Sequence, residues 1–390
     1  MYSLIYIYLS TMYYSILSIL GLEKLSYISK TVHGLMAIIA VYIITINILN
    51  YGFTYKKIFI IMIGLLSVTL YFTTSLLYTY ENKLYKSRFS YYVILCVIPL
   101  ILGCIDAYKY KIKDMSKYIP IFVIIFTIGS FLATFYSSGS TKWGGYVEDN
   151  SGFNYQLCSY AAAYSFGLIT FYILNEENIS GFKILSKNYV KYLLIGMGII
   201  NWIIILISGG KGGFVTGMVY IFYSLYQIKD KIKFNMNTLI KSFVYGILII
   251  MVAYSILLYS NNSSISVSGF DRIVDFIQTG NTTGRERHYI EAEQSIKKSP
   301  IIGHGIGSVY YEAPPYTHNF FLDILVETGI IGLICWIVLL YILLKKMYMF
   351  ISINKVNHLI MILFLGGFIK SMFSGYYLSH SSIMWTIGYV

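Results

Sequence analysis

A polar segment late in the chain carries the residue types that could do chemistry. Residues 283–332 read TGRERHYIEAEQSIKKSPIIGHGIGSVYYEAPPYTHNFFLDILVETGIIG and hold three of the six histidines. A histidine has an ordinary pKa near neutrality and suits proton transfer, whereas arginine and lysine suit the binding of an anion. The segment therefore predicts a site that combines a base with cations.

The elements that must position this segment are apolar. Hydrophobic residues make up 57% of the 390 residues, and charged residues make up only 12%. Uncharged runs of about 20 residues recur, and this is the length of helix that crosses a bilayer. We therefore predict an all-α polytopic membrane protein in which residues 1–390 form a single integral membrane domain.

Eleven or twelve apolar runs are predicted to be transmembrane helices. They lie near residues 2–20, 31–50, 58–77, 89–107, 118–136, 155–174, 190–208, 213–228, 239–259, 320–344, 356–373 and, more weakly, 376–390. The short loops after even-numbered helices are the richer in lysine, as cytoplasmic loops usually are. We therefore expect a cytoplasmic N-terminus and an extracytoplasmic loop over residues 260–319, between helices 9 and 10. The net charge of +12 is assigned to this topology signal and not to nucleic-acid binding.

The long loop is predicted to contain short amphipathic helices. One is indicated by apolar residues at helical spacing, Phe270, Ile273, Val274 and Ile277. A second is expected to begin near Thr283, with Tyr289, Ala292 and Ile296 on one face. A turn-rich stretch, SPIIGHGIGS, follows, and the loop ends with Thr-His-Asn at the mouth of the tenth helix.

The motifs of this loop resemble the O-antigen ligase and polymerase family, which includes the Wzy-like polymerases and the WaaL-like ligases. GRERHYIEAEQSIKKSPIIGHGIG is similar to a family pattern of Gly-Arg, a short amphipathic helix, Pro and Gly-x-Gly-x-Gly. HNFFLDILVETGIIGL is similar to its His-Asn, apolar run, Glu and two glycines. Upstream, ISGGKGGFVTG has Lys211 where the family usually has an arginine, and the tryptophan common after Gly-Arg is replaced near His288 and Tyr289.

The resemblance implies a glycosyl transfer at the outer face of the bacterial cytoplasmic membrane. The implied donor is an oligosaccharide on undecaprenyl diphosphate. A sugar hydroxyl attacks the anomeric carbon, and the lipid diphosphate leaves. The implied partners are this lipid-linked oligosaccharide, the bilayer, and a chain-length regulator and a flippase of the same pathway, with no cofactor.

Cations are expected to face the departing diphosphate, because its charge lies close to hydrocarbon. Arg285 is the predicted catalytic cation, and Lys211, Arg272 and Arg287 are predicted diphosphate ligands. Each ligand has a structural alternative. Lys211 could be an ordinary loop charge, Arg272 could reach to the membrane surface, and Arg287 could only balance Glu291 one helical turn away.

His318 is the predicted base, from its ordinary pKa and from the resemblance. The alternative is an interfacial histidine that caps the tenth helix together with Asn319. Contacts with sugar or phosphate are predicted for His304, Asn319 and Glu327. The alternatives are that His304 only forms part of the turn and that Glu327 pairs with arginines of the loop. Lys370, deep in an apolar run, either faces the same cavity or reaches outward.

A metal site is not predicted. The sequence contains no Asp-x-Asp motif, and its His, Asp and Glu residues lack the spacing of metal ligands. The predicted function is therefore that of a metal-independent polymerase that joins repeat units of an O-antigen, capsule or exopolysaccharide. The alternatives are a ligase that passes the glycan to another acceptor and, from a different class, a flippase for the lipid-linked sugar. Transporters place polar residues in repeated halves near the membrane midplane, whereas this chain concentrates them in one loop.

Overall fold

The computed structural model describes eight stretches of the chain and a few isolated positions between them. The stretches are residues 26–50, 92–109, 112–136, 155–179, 188–208, 210–229, 285–308 and 317–390. They are almost entirely helical, and none of them contains a β-strand.

Eleven α-helices lie in the described stretches. They are α1 (Ser26–Asn50), α2 (Ile98–Lys109), α3 (Ile112–Ser116), α4 (Ile119–Tyr136), α5 (Tyr155–Asn175), α6 (Asn188–Ser208), α7 (Lys211–Ile228), α8 (Arg285–Lys298), α9 (Phe320–Ile353), α10 (His358–Phe373) and α11 (Ser381–Tyr389). A π-helical turn at Val93–Val97 precedes α2, and a 3₁₀ turn at Tyr377–Ser379 precedes α11.

Four segments are long and apolar enough to cross a membrane. They are Gln156–Asn178, Tyr189–Leu206, Phe320–Ile353 and Lys355–Phe373. Shorter apolar helices occur at Ala37–Ile46, Val93–Ala107 and Ile119–Leu132. The predicted all-α polytopic membrane fold is confirmed. The predicted runs at 2–20 and 239–259, nearly all of 58–77, and the amphipathic helix at 270–277 lie outside the described residues.

Helix α5 forms the centre of the bundle and packs against α4, α6, α7 and α10. Three consecutive alanines, Ala161 to Ala163, are fully buried in it, and small residues allow helix backbones to approach closely in a membrane. A buried polar contact also joins α4, α5 and α6. The Asn201 Nδ2 donates to Thr127 Oγ1 at 2.9 Å and to Ser165 Oγ at 3.2 Å. These contacts fix the three helices relative to one another.

Helix α11 packs along α2 through glycines at close approach. A Cβ on Gly103 would collide with the backbone of Trp385, and a Cβ on Gly388 would collide with the carbonyl of Leu100. The Trp385 indole donates to Asp106 Oδ2 at 2.9 Å. This contact anchors the C-terminal part of the chain and, with it, the segment that connects α10 to α11.

Five helix ends meet at one end of the bundle. The Ser159 hydroxyl near the start of α5 donates to the carbonyl of Gly210, just before α7. The hydroxyl of Ser374, just after α10, donates to Gln156 Oε1 at 2.9 Å. Helix α8 packs against the first part of α9. The bundle therefore brings the starts of α5, α7, α8 and α9 together with the end of α10.

Candidate functional site

Helix α8 turns a polar face toward the start of α9. Arg285 and His288 are three residues apart and therefore share this face, which continues through Ala292 and Ser295. Both Ala292 and Ser295 are buried. The His288 ring packs edge-to-face against the ring of His318, with 5.9 Å between the centroids. The Gly-Arg motif at the start of α8 and the His-Asn motif before α9, about thirty residues apart in the sequence, thus lie close together in the structure.

His318 has a left-handed backbone conformation that its neighbours hold in place. Its φ is +58°, and it is the only non-glycine residue with positive φ in the described part of the chain. On one side, the Thr317 amide and hydroxyl donate to Asp323 Oδ1 at 2.8 and 2.7 Å. On the other, the Asn319 side chain caps α9 by accepting from the amides of Phe321 and Leu322. A strained residue fixed on both sides is a frequent feature of active sites.

The environment of His318 keeps its imidazole neutral. Burial, followed by the nearby charges of Arg285 and His288, lowers the pKa of His318 to about 4. The ring is therefore uncharged at neutral pH and can accept a proton from a hydroxyl. Arg285, its neighbour, supplies positive charge beside the same ring.

The low pKa of His318 predicts an unusual pH dependence. If neutral His318 is the base, kcat/KM should fall only as the pH drops through about 4, and not near the ordinary value of about 6.5. Replacing His288 with glutamine removes a group that contributes to lowering the pKa of His318 and should move the acid limb upward. Measuring the pH–rate profiles of both proteins tests this, and an acid limb near 6.5 in the unsubstituted protein would contradict it.

Glu327 anchors the glycine-rich turn. One carboxylate oxygen accepts the amide of Gly307 at 2.8 Å, and the other accepts the hydroxyls of Tyr376 and Tyr377 at 2.7 and 2.9 Å. The side chain is fully buried. Its partners are therefore one amide and two hydroxyls, not Arg285 or the neighbouring arginine of α8. Among the described residues, Glu327 joins the turn to the segment after α10.

The turn itself depends on glycine. Gly303, Gly305 and Gly307 all have positive φ, and Gly329, also at positive φ, interrupts α9 beside them. The Gly305 amide donates to the carbonyl of Glu327 at 2.8 Å. The His304 ring lies 2.7 Å from the carbonyl of Ser295 in α8, so it donates there. The predicted turn is present, and His304 ties it to α8.

Removing the Glu327 carboxylate is expected to destabilise this end of the protein. Glu327→Ala leaves one buried amide and two buried hydroxyls without their acceptor, and each such loss costs about 1–3 kcal/mol. The apparent Tm in detergent should fall, and limited proteolysis should cut more readily near residues 303–308. Glu327→Gln retains an acceptor and should lose less. Equal Tm values for all three proteins would contradict this role.

The other predicted cations lie in different settings. Arg287 has a side chain that is 83% exposed, and its Nε donates to Glu291 at 2.7 Å, which is the ion pair that the spacing allowed. Lys211 is the first residue of α7, at the same end of the bundle as His318. Arg272 lies outside the described residues.

Lys370, whose placement the sequence left open, and Tyr160, which the sequence did not single out, also belong to this end of the bundle. The Lys370 ammonium lies 5.6 Å from the centroid of the Tyr160 ring. The Tyr160 hydroxyl lies against the start of α7, because a Cβ on Gly212 would collide with it. The signal for Lys370 was its position as a cation inside an apolar run. No signal distinguished Tyr160 among the 41 tyrosines of the chain.

Comparison with known proteins matches a family model to the part of the chain that builds much of this end of the bundle. Residues 196–337 match the family model described as O-antigen ligase. The matched region includes α7, α8, the glycine-rich turn, His318 and the first half of α9. No curated protein and no solved structure matches the chain. The resemblance drawn from the sequence motifs is therefore confirmed.

Proposed function

We propose that this protein belongs to the O-antigen ligase family and is a glycosyltransferase that polymerises lipid-linked oligosaccharide repeat units. The observation that carries the proposal is the contact of His318 with His288 of α8, the helix that Arg285 begins, at one end of a membrane bundle. The product would be an O-antigen, a capsule or an exopolysaccharide. The site would face the outside of the bacterial cytoplasmic membrane, with the N-terminus in the cytoplasm.

The proposed reaction forms one glycosidic bond and breaks the bond between the anomeric carbon and an oxygen of the diphosphate. A sugar hydroxyl of one repeat unit attacks the anomeric carbon of a second unit and transfers its proton to His318. The bond between that carbon and the diphosphate oxygen breaks. Undecaprenyl diphosphate leaves with the electron pair, and His318 later releases its proton to solvent.

Cations would stabilise the charge that builds on the leaving diphosphate. Positive groups that are already in place act most strongly on charge that develops in the transition state. Arg285 would serve the phosphate next to the sugar, and Lys211 would add a point charge where the family usually has the bidentate guanidinium. With these side chains supplying the charge, we propose that the reaction needs no metal ion.

A ligase is the second candidate, because the matching family is described by that activity. Ligase and polymerase use the same donor chemistry and differ in the acceptor. A flippase for the same lipid-linked sugar would carry out no glycosyl transfer. It is less well supported, because a base and a cation placed together serve bond formation and not translocation.

Reconstitution of the purified protein with lipid-linked repeat units separates these functions. A polymerase gives a ladder of glycan lengths on a gel from this single substrate, and the ladder should persist when a chelator is present. A ligase gives a product only after a separate acceptor is added. A flippase gives no new glycan in either case. Failure to form any glycosidic product would overturn the proposal, and loss of the ladder with chelator would overturn its metal-independent form.

A further inference from the structure

A second group of polar side chains lies around Tyr160. This tyrosine is 1% exposed, and its hydroxyl has no hydrogen-bond partner among the described residues. The Lys370 ammonium lies over its ring at 5.6 Å. Lys370 forms no ion pair within the described stretches. A cation in such a place is costly unless an anion compensates its charge.

The start of α7 abuts the same hydroxyl. A Cβ on Gly212 would collide with the Tyr160 hydroxyl and would lie 3.1 Å from the Cβ of Phe373. Helix α7 is 18 residues long, and its N-cap, Gly210, has no side chain with which to cap it. The first amides of a helix and its dipole favour an anion at this end. The buried hydroxyl therefore lies against a helix terminus that suits phosphate.

His380 completes the group. Its Nε2 has no hydrogen-bond partner in the described part of the chain, and its ring is 5% exposed. The charge of Lys370 acts on this ring. A Cβ on Gly375 would lie 3.2 Å from the ring, so the turn after α10 passes directly beside it. Tyr160 thus has an ammonium and a helix terminus beside it, and the His380 imidazole lies beside the turn that follows the helix of Lys370.

We propose that Lys370, Tyr160 and the first turn of α7 form a second phosphate subsite, which binds the phosphate on the lipid side of a polyprenyl diphosphate. The Lys370 ammonium lies 5.6 Å from the centroid of the Tyr160 ring, and Arg285 begins α8 at the same end of the bundle. Arg285 adjoins His318 and serves the phosphate that bears the sugar. Lys370 serves the next phosphate along. This assignment rests on the proposed function for its ligand.

A prenyl diphosphate should reach both cations, whereas the phosphate of a prenyl monophosphate is bonded to the chain and should reach Lys370 alone. The loss of one hydrogen bond to a charged group lowers affinity by at least about tenfold. Removing the Lys370 charge should therefore weaken the binding of both ligands by at least about tenfold. Removing the Arg285 charge should weaken diphosphate binding and leave monophosphate binding nearly unchanged.

Binding of farnesyl diphosphate, farnesyl monophosphate, inorganic diphosphate and phosphatidylglycerol to the purified full-length protein tests this. Lys370→Met and Tyr160→Phe remove the charge and the hydroxyl, and Lys370→Arg restores a cation. Arg285→Ala removes the cation assigned to the other phosphate. Lys355→Met, an exposed lysine before the same helix, and Tyr192→Phe, a tyrosine that is 72% exposed, are the matched controls. Gel filtration and the apparent Tm show that each variant is folded.

We expect Lys370→Met to bind farnesyl diphosphate and farnesyl monophosphate at least about tenfold more weakly. Lys370→Arg should retain both affinities, Tyr160→Phe should weaken both by a few fold, and both controls should match the unsubstituted protein. Arg285→Ala should lose most of the preference for farnesyl diphosphate over farnesyl monophosphate. Inorganic diphosphate should show the same dependence on Lys370, since the subsite recognises phosphate and not the chain. Unchanged binding of farnesyl monophosphate in Lys370→Met, an equal loss for both farnesyl ligands in Arg285→Ala, or tighter binding of phosphatidylglycerol would each overturn the subsite.

The same variants separate this inference from the proposed function. If the unsubstituted protein builds polymer and Lys370→Met has the same KM and the same binding, the subsite is wrong and the function stands. If the binding of farnesyl monophosphate depends on Lys370 but no glycosidic product forms, the subsite stands and the function is wrong. If neither binding nor product is found, both are wrong.

Discussion

Replacing His318 with asparagine is expected to slow glycosyl transfer by about 10²- to 10⁴-fold, the usual contribution of a positioned acid or base. Asparagine suits this test because it tolerates the left-handed backbone that His318 adopts at φ +58°. The contacts of Thr317 with Asp323 and the cap from Asn319 do not involve the His318 side chain, so the loop should stay in place. The amount of protein in the membrane should therefore be unchanged.

Chemical rescue distinguishes a base from a structural residue at position 318. His318→Gly removes the ring and relieves the positive φ, and added imidazole should restore part of the rate. A purely structural role would not respond to imidazole. Polymer of normal length and amount from His318→Asn, at the normal protein level, would remove His318 from the catalytic site.

Replacing Arg285 with alanine is expected to lower the rate by about 10²- to 10³-fold, as for other single groups that stabilise transition-state charge. Arg285 begins α8 beside His318, where the bond to diphosphate would break. Its charge is most useful when the leaving group becomes more negative, so kcat should fall more than KM rises. Single repeat units should then accumulate on the lipid.

Two further variants control for charge and for position. Arg285→Lys retains a cation without the planar fork and should recover part of the rate. Lys297→Ala removes a cation from the same helix that is 72% exposed and paired with Glu293, and it should behave as the unsubstituted protein does. A rise in KM with an unchanged kcat in Arg285→Ala would show that Arg285 only binds the substrate.

The sequence predicted the residues that local patterns identify. Helical spacing of Tyr289, Ala292 and Ile296 predicted a helix from near Thr283, and the described helix α8 begins at Arg285. The cap that was the alternative role at the start of the tenth helix is present, because Asn319 caps α9. Runs of apolar residues predicted the start of α9 at Phe320 but not its end at Ile353, because hydrophobic length constrains only the membrane span. The succession of neighbouring residues in the sequence was enough to predict these features.

Contacts between distant helices could not be predicted in this way. Glu327 binds the hydroxyls of Tyr376 and Tyr377 about fifty residues later, so its partners depend on how α9 and the segment after α10 pack. Tyr160 is placed by the burial of α5 at the centre of the bundle, and nothing in its own neighbourhood of the sequence marks it. His288 likewise can be assigned to the candidate site only from its contact with His318.

The most direct test of the proposed glycosyl transfer measures glycosidic bond formation together with release of the diphosphate leaving group. Purified protein in liposomes would be given lipid-linked repeat units, and glycosidic bonds and free polyprenyl diphosphate would be counted together over time. We expect a ladder of glycan lengths, with one polyprenyl diphosphate released for each glycosidic bond formed. Bond formation and diphosphate release should both be lost in Arg285→Ala and His318→Asn. Lipid-linked units that cross the bilayer without bond formation or diphosphate release would contradict it.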